Sequence, residues 1–339
     1  MLAAVLLASA WLGASLPAPA PAAGNTVAVT AGAAQDADLE LYRTVAARLR
    51  AGDGYYRTVA EEHRAGSYPL RPFVTVRLPT LALVMATLGE RLSHLLLLAI
   101  CAVTLWAWHV RLRGTLHNWL QERVAVLLLA VGLTLAPQIR YLPLHELWAG
   151  VLVALSLAVH RPGRWWPSLI VAAVALAIRE LVLPYVLLMT AFALVQGRWR
   201  EAAAWLGLVA GFAVLMAIHM QGVAGVVIPA DAPSPAWVQF GGAQAALNFA
   251  HHTSGLRILP AAIGFALVPL CLLGWIGWKS RTGLFGALLL AGYGLFFAIT
   301  GRPNNVYWGL IVTPLLAMGL AFLPLALRDL WRAARRPAR

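Results

Sequence analysis

The sequence predicts an all-α, polytopic integral membrane protein with about ten transmembrane helices, and three observations support this prediction. Hydrophobic residues make up 61% of the 339 residues and charged residues only 12%, whereas about a quarter of a soluble chain is charged. Apolar runs of roughly twenty residues recur along the chain, each long enough to cross a hydrocarbon core of about 30 Å. Most of the 26 lysines and arginines lie in short segments between these runs.

The first segment, residues 1–22, is predicted to be a transmembrane helix. Residues 2–16 are almost continuously apolar, several prolines follow, and no charged residue precedes Asp36. A signal peptide cleaved near residues 20–23 is the alternative, but the basic start of such a peptide is missing. Both interpretations place the loop that follows, residues 23–90, on the extracytoplasmic side.

Two short helices are predicted in this loop. Within residues 36–50, leucine or valine recurs at positions 41, 45 and 49, which form one face of a helix. Asp36 or Asp38 is the expected N-terminal cap, Gly52 and Gly54 are expected to end the helix, and we expect it to lie flat on the outer leaflet. A second helix is predicted over residues 55–65.

The remaining helices are predicted within residues 91–327, and a basic cytoplasmic tail, residues 328–339, follows. The charged pair Arg179 and Glu180 divides residues 166–195. This stretch is either one tilted helix or two short helices that meet at an outward turn, and two helices avoid a charged pair near the bilayer centre. The whole chain is thus predicted to form a single membrane domain. The expected spans are 92–110, 124–136, 147–160, 166–178, 181–195, 202–220, 258–278, 283–300 and 306–327.

The distribution of charges predicts the orientation of the chain. With both termini inside, the basic segments lie in the cytoplasm, as the positive-inside rule requires. In a soluble protein a net charge of +13 would suggest a nucleic-acid partner, but here anionic head groups account for it. Membrane lipids, and not nucleic acid, are therefore the predicted partners. Cys101 and Cys271 lie in separate apolar runs, so neither a disulfide framework nor a Cys-x-x-Cys metal site is expected.

The sequence contains six short motifs of interest: Asp38-x-x-x-Tyr42, Gly52-x-Gly54-Tyr55-Tyr56, Tyr68-Pro69, Arg77-x-Pro79, Arg179-Glu180-Leu181 and Arg302-Pro303-Asn304-Asn305-x-Tyr307-Trp308. They resemble motifs of the GT-C superfamily, which comprises polytopic glycosyltransferases that use polyprenyl-phosphate sugars on the outer face of the membrane. The first outer loop looks like that of bacterial members related to the mannosyltransferase branch. The resemblance covers the organisation of the whole chain.

The resemblance implies a GT-C-like fold in the bacterial inner membrane and an inverting transfer of a sugar from a polyprenyl-phosphate donor. Asp38 matches the family's acidic position best and would be the general base, with Asp36 as the second choice. A divalent metal ion at these two aspartates stays open, because some members use one and others do not. Since no soluble domain follows the last predicted span, the expected acceptor is a lipid or a small glycan.

Outward-facing arginines are the candidate ligands of the donor phosphate, because a guanidinium group forms bidentate contacts with phosphate. Competing interpretations exist: arginines near helix ends reach lipid head groups without function, Glu180 neutralises Arg179, Glu146 caps a helix, and aromatic residues near Arg302 anchor the interface. The predicted phosphate ligands are Arg71, Arg77, Arg179 and Arg302, with Arg257 as a further candidate. The predicted substrate-binding residues are Glu180, Glu146, Tyr42, Tyr55, Asn304, Asn305, Tyr307 and His251.

Three other functions stay open. O-antigen polymerases and ligases also use polyprenyl-linked substrates, but they usually place their long outer loop late in the chain. A transporter or flippase for polyprenyl-linked glycans would keep polar residues near the bilayer midplane in both halves of a repeat, and the Arg179–Glu180 pair favours this alternative. A non-catalytic membrane scaffold fits if Asp36 and Asp38 are only helix caps.

Overall fold

The computed structural model describes residues 1–15, 26–116 and 118–335, and this part of the chain is all-helical apart from two isolated β-bridges. The predicted all-α class is therefore confirmed for these residues. The alternative signal-peptide cleavage site near residues 20–23 and the last four residues of the basic tail lie outside the described ranges. The side chains of residues 26–35, of Pro303 and of Asn304 are likewise outside the description.

The α-helices of the described residues are numbered here in chain order, and five short 3-10 segments connect some of them. The 3-10 segments are Phe73–Thr75, Ile139–Tyr141, Glu180–Val182, Gly255–Ile258 and Pro303–Ile311. The helices are α1 Leu2–Ala14, α2 Thr26–Arg50, α3 Tyr55–Ala65, α4 Thr80–Leu112, α5 Trp119–Gly132, α6 His145–Val159, α7 Trp166–Ile178, α8 Leu183–Val195, α9 Trp199–Ala224, α10 Gly242–Thr253, α11 Ala261–Gly277, α12 Arg281–Ile299, α13 Thr313–Leu316 and α14 Gly319–Ala334.

Among the described residues, three helices are long and apolar enough to cross a membrane, judged by length and composition alone. These are α4, extended at its start to Phe73, together with α9 and α12. Other apolar helices, such as α1 and α7, have only 13 residues, or about 20 Å of helix, which is short of a full bilayer core. The structure thus supports membrane-like helical character, and the count of ten spans stays a prediction.

The helical structure is interrupted between α7 and α8, as the two-helix interpretation of residues 166–195 predicts. Arg179 has an extended backbone (φ −146°, ψ 116°), and the 3-10 turn Glu180–Val182 connects it to α8, which has Pro184 in its first turn. A proline fits there because the first-turn amide would have no helical acceptor. The charged pair therefore lies at a helix break and not in the middle of a long helix.

Helix α2 begins ten residues before the predicted start. It runs from Thr26, so Asp36 and Asp38 lie inside it and the prediction that either caps the helix is wrong. Residues 26–35 contain no proline and four alanines, and alanine is the best helix former, so no proline stops the helix before residue 36. The end is as predicted: the helix stops at Arg50, and Gly52 takes a positive φ of 104°, which glycine adopts without strain.

The apolar face of α2 packs against protein. Leu41 and Val45 are buried in a small cluster with Val59 of α3 and with Leu70 and Val76 of the segment that follows. Helix α3 has the predicted bounds, Tyr55–Ala65. Our expectation that α2 lies flat on the lipid surface by this face is therefore wrong, because α3 and the following segment cover the face.

The main core is formed by α4 to α14 together with Leu39 and Ala46 of α2. A glycine in α6 sets the position of the 3-10 segment Pro303–Ile311, which borders the candidate site described below. Gly150 in α6 faces the backbone of Leu310 and Ile311, and a Cβ atom at this glycine would collide with the Leu310 carbonyl oxygen. Only glycine allows so close an approach between two backbones. Helix α6 thereby fixes the 3-10 segment Pro303–Ile311 against the core.

Candidate functional site

A cavity of about 470 Å³ lies at one end of the helical core, within the range of roughly 300 to 1,000 Å³ typical of small-molecule sites. It is bounded by α2, the segment between α3 and α4, the break between α7 and α8, the loop after α9, and the segment after α12. Its polar and aromatic lining includes Asp38, Tyr42, His63, Tyr68, Thr75, Arg77, Arg179, Glu180, Trp237, Arg302, Asn305, Tyr307 and Trp308.

The cavity brings together residues that are up to about 270 positions apart in the sequence. Eight residues named as site candidates from the sequence line it, and they come from four separate segments of the chain. Proximity of these segments does not follow from their motifs, because each motif is short and local. The eight residues are Asp38, Tyr42, Arg77, Arg179, Glu180, Arg302, Asn305 and Tyr307.

Asp38 supplies a carboxylate with altered basicity. Burial on α2 raises its pKa above the usual value of 3.8, because the charged form loses hydration. Hydrogen bonding to the Tyr68 hydroxyl and the positive charge of Arg77 both lower this pKa, and they offset part of the effect of burial. The balance leaves Asp38 a stronger base than a solvent-exposed aspartate, while its charged form keeps two stabilising partners.

Arg179 is the centre of a buried ion network. Its side chain is 1% exposed, its Nε atom donates to Glu146 Oε1 at 2.7 Å, and its Nη1 atom contacts Glu180. Arg77 Nη2 lies 3.8 Å from the same Glu146 oxygen. Glu146 is therefore the shared counter-ion of two arginines and is absent from the cavity lining, so its predicted contact with substrate is not supported by its location.

Tyrosines hold Arg77 in place from two sides. The Arg77 Nε atom donates to the Tyr42 hydroxyl at 3.2 Å, and the Tyr55 hydroxyl donates to the Arg77 carbonyl oxygen at 2.6 Å. Tyr42 lines the cavity, whereas Tyr55 lies in a smaller adjoining pocket. Tyr55 is thus placed to position Arg77, and its predicted contact with substrate is not supported by its location.

Several donors in the cavity wall have no acceptor among the described residues. They are the Thr75 hydroxyl, the Arg302 Nε atom and the Trp308 indole nitrogen, and all three atoms are buried. Each buried unpaired polar group costs about 1–3 kcal/mol, and a ligand rich in acceptor oxygens would remove this cost. Arg302 also has no carboxylate partner in the described part of the chain, so its charge is available to an anion.

Tyr68, Thr75, Trp237 and Trp308 line the cavity but are not among the individual site residues predicted from the sequence. Tyr68 and Trp308 belong to quoted motifs, and the Arg179 guanidinium lies 5.7 Å from the centre of the Trp308 ring, within reach of a cation–π contact. Their positions in motifs were a usable signal. Thr75 belongs to no quoted motif, and the signal at Trp237 was its place in a predicted outer loop. Tertiary packing brings both segments to the cavity.

Other predicted site residues lie away from the cavity. Asp36 is exposed and pairs with Arg140 at 2.6 Å, and Arg71 donates to the backbone carbonyls of Pro229 and Asp231. Arg257, in the 3-10 segment Gly255–Ile258, is not in the lining. Asp36 and Arg71 are engaged by other parts of the chain, and Arg257 is exposed, so their predicted contacts with substrate are not supported by their locations.

His251 is also placed outside the cavity. It is buried against Phe265, and its Nε2 atom lies 3.2 Å from the Leu259 carbonyl oxygen. Its ring is perpendicular to that of His252, with centres 5.0 Å apart. The contacts are those of a core histidine. Its predicted role in binding substrate is therefore not supported.

The described residues contain no group of three or more histidine, cysteine, aspartate or glutamate side chains arranged to hold a metal ion. Asp36 and Asp38 are two residues apart on α2, where successive residues turn by about 100°, so their side chains diverge. Asp36 is bound to Arg140 and Asp38 to Tyr68. This pair does not fit a shared divalent ion. Cys101 and Cys271 are both free and buried.

Comparisons with protein-family models, with curated proteins and with solved structures found no match to this chain. The resemblance to the GT-C superfamily therefore stays a prediction made from the motifs. The fold and the site together define a class in physical terms. The described residues are almost entirely helical, with apolar helices long enough to span a membrane, and two carboxylates and three guanidinium groups line one cavity at the end of the core.

Proposed function

We propose that this protein is a membrane glycosyltransferase that moves a sugar from a polyprenyl-phosphate donor to a lipid or glycan acceptor on the periplasmic face. One observation carries the proposal: the basic carboxylate of Asp38 shares a single cavity with Arg77, Arg179 and Arg302. A carboxylate and several guanidinium groups are the groups needed to deprotonate a hydroxyl and to hold a phosphate.

The chemistry assigned to these groups balances in one step. The Asp38 carboxylate takes the proton of an acceptor hydroxyl as its oxygen attacks the anomeric carbon of the donor sugar. The bond between that carbon and the phosphate oxygen breaks from the opposite face, so the configuration inverts. The phosphate gains one negative charge as it leaves, and nearby guanidinium groups stabilise this charge.

Aromatic residues in the lining suit a sugar. Trp237, Tyr307 and Trp308 all border the cavity, and their amphipathic rings can cover the apolar face of a pyranose while their polar ends hydrogen-bond to hydroxyls. Asn305, buried in the same wall, adds an amide that both donates and accepts. The lining therefore supports a carbohydrate substrate better than a purely ionic one.

An adjoining apolar cavity supports a lipid-linked donor. This apolar cavity, of about 370 Å³, lies between α1, α10, α11 and α12. Phe297 lines it, while the preceding residue, Phe296, lines the polar cavity. Aliphatic and small residues form most of its wall, which suits an isoprenoid chain. A donor with its phosphate at the arginines could place its tail in this cavity.

The buried Arg179–Glu180 pair is the one observation that favours a flippase for lipid-linked glycans. It lies at a break between two helices of 13 residues each, a feature that transporters use at their binding sites. The polymerase, ligase and scaffold alternatives gain no comparable observation. A test of the proposed function therefore has to separate transfer from transport.

The test measures release of polyprenyl phosphate by the purified protein in lipid nanodiscs supplied with a panel of polyprenyl-phosphate sugars. We expect Asp38→Asn to lower the turnover by about 10²- to 10⁴-fold, the usual contribution of a general base. Asp36→Asn is the matched control, because it makes the same change two residues away on an exposed face of α2, and it should keep nearly full turnover.

Two outcomes would contradict the proposal. Equal turnover of the Asp38→Asn and Asp36→Asn variants would show that Asp38 is not the base. Absence of release with every donor, combined with movement of lipid-linked sugars across vesicles that contain the protein, would favour the flippase.

A further inference from the structure

A second polar cavity, of about 430 Å³, lies at the opposite end of α12 from the candidate site. Helix α12 begins at Arg281, whose neighbours Ser280 and Thr282 line this cavity. The helix ends at Ile299, and the next residue, Thr300, lines the cavity of the candidate site. Its 19 residues extend over ~28 Å, close to the thickness of a hydrocarbon core. The distance between the two polar cavities is thus about the thickness of one hydrocarbon core.

The lining of this second polar cavity is strongly cationic. It contains four basic side chains and one acidic side chain, Asp329. Lys279 lies 2.5 Å from one Asp329 oxygen and Arg328 lies 3.9 Å from the other, so a single carboxylate serves two cations. The other basic residues of the lining, Arg111 and Arg161, have no carboxylate partner among the described residues.

Backbone carbonyls hold Arg111 and Arg161 side by side. Both guanidinium groups donate to the carbonyl oxygens of Ala158 and His160, at distances of 2.6 to 3.1 Å. These contacts orient the two groups and satisfy part of their hydrogen-bonding capacity, but they supply no full negative charge. The lining therefore keeps an excess of three positive charges, four cations less one carboxylate.

Burial makes this excess of positive charge energetically unfavourable. It lowers the pKa of Arg161 because the charged guanidinium loses hydration. The Nε and Nη2 atoms of Arg161 also have no acceptor among the described residues. A bound anion would restore the lost stabilisation and would accept hydrogen bonds from these atoms.

We propose that this cavity binds the phosphate of an anionic phospholipid. The cations provide the contacts to phosphate, and Trp278 and Leu325 provide an apolar part of the wall suited to the glycerol and acyl portions of a lipid. The position at one end of the apolar helices favours a lipid, and a soluble phosphate ester shares only the anionic part of this chemistry. The proposal is independent of any transferase activity at the other end.

The test measures binding of dioctanoyl phosphatidylglycerol, dioctanoyl phosphatidylcholine and glycerol phosphate to the purified full-length protein in detergent. The variant Arg161→Gln/Arg328→Gln removes two cations from the lining. The matched control Arg113→Gln/Arg332→Gln removes two exposed arginines from the same end of the molecule, and neither residue lines the cavity. Both variants have the same net charge, and a thermal unfolding curve for each checks that it is folded.

We expect phosphatidylglycerol to bind more tightly than phosphatidylcholine, and the lining variant to lose roughly tenfold to a hundredfold in affinity while the control variant keeps it. Equally tight binding of glycerol phosphate, lost in the same variant, would support the anion site and identify a soluble phosphate ester as its ligand. Failure of both anionic probes to bind, or equal losses in the two variants, would overturn the proposal.

Discussion

At the scale of single residues, Asp38 shows how the environment changes the chemistry of a common side chain. Asp36 and Asp38 look equivalent in the sequence, but the structure exposes the first to solvent and places the second in the cavity wall. Burial raises the pKa of Asp38, whereas the Tyr68 hydroxyl and Arg77 lower it. The proposed base is therefore tuned by neighbours that lie 30 or more positions away in the sequence.

This tuning predicts a shift in the pH dependence of transfer. Because the base must be deprotonated, the rate should fall as the pH decreases through the pKa of Asp38, at a pH above that of an ordinary aspartate. Tyr68→Phe removes a hydrogen bond that lowers this pKa, so we expect the acidic limb of kcat/KM to move to higher pH. Tyr141→Phe, which changes a tyrosine beside Arg140, is the control. An acidic limb that stays in place in Tyr68→Phe would contradict this account.

The buried ion network predicts an unequal response of two glutamates. Glu146→Gln leaves Arg179 and Arg77 without their shared carboxylate in a buried setting, and breaking a buried pair costs about 3–5 kcal/mol. Glu90→Gln breaks a partly exposed pair with Arg43, for which about 0–1 kcal/mol is expected. Unfolding of both variants in detergent, followed by circular dichroism, provides the comparison. Similar losses of unfolding free energy would show that Glu146 is not the counter-ion of the network.

At the scale of elements, local signals predicted helix ends well and predicted partners poorly. Glycine, proline and charged residues act on the backbone within a few residues. They predicted the bounds of α3, the end of α2 near Gly52 and the interruption of the helix at Arg179. The start of α2 was missed because a plausible cap at Asp36 outweighed the four alanines and the absence of proline in residues 26–35. The surface that covers the apolar face of α2 was missed because periodicity shows that a face is apolar but not whether lipid or protein covers it.

The contact between α6 and the segment Pro303–Ile311 gives a prediction about a single methyl group. Gly150→Ala would push this segment away from α6 and displace Asn305 and Trp308 from the cavity wall. We expect a loss of about 1–3 kcal/mol in stability, as for other overpacked sites, together with reduced sugar transfer. Thermal unfolding and polyprenyl-phosphate release measure the two effects.

Gly207→Ala in α9 is the matched control for this change, because a Cβ atom there meets nothing within 4 Å. It should leave activity unchanged and gain up to about 1 kcal/mol from the better helix propensity of alanine. Equal behaviour of the two alanine variants would show that the close approach at Gly150 does not position the site.

At the scale of the whole molecule, charged groups are divided between two ends. Predicted outer residues such as Asp38 and Arg179 meet in one cavity, and predicted cytoplasmic residues such as Arg111 and Lys279 meet in another. Charge patterning in the sequence was sufficient to sort residues between ends. It was insufficient to predict which members of each group would touch, since that depends on how the helices pack.

This division predicts the accessibility of single cysteines. In a background with Cys101 and Cys271 changed to alanine, we expect Glu40→Cys to react with a membrane-impermeant maleimide in intact spheroplasts. Arg113→Cys should react only after the membrane is permeabilised. Both positions are exposed in the structure, so a difference in labelling reports the side of the membrane. Labelling of Arg113→Cys first, or of both positions equally, would contradict the proposed orientation.

The ion network also bears on how the chain is made. Its members, Arg77, Glu146, Arg179 and Glu180, all precede α8, whereas Arg302 and Trp308 emerge from the ribosome more than 100 residues later. Chains generally fold from the N-terminus during synthesis, so the four charged groups can pair with each other before the last helices exist. The nascent protein thus need not hold an unpaired guanidinium group against lipid while it waits for the second half of its sequence.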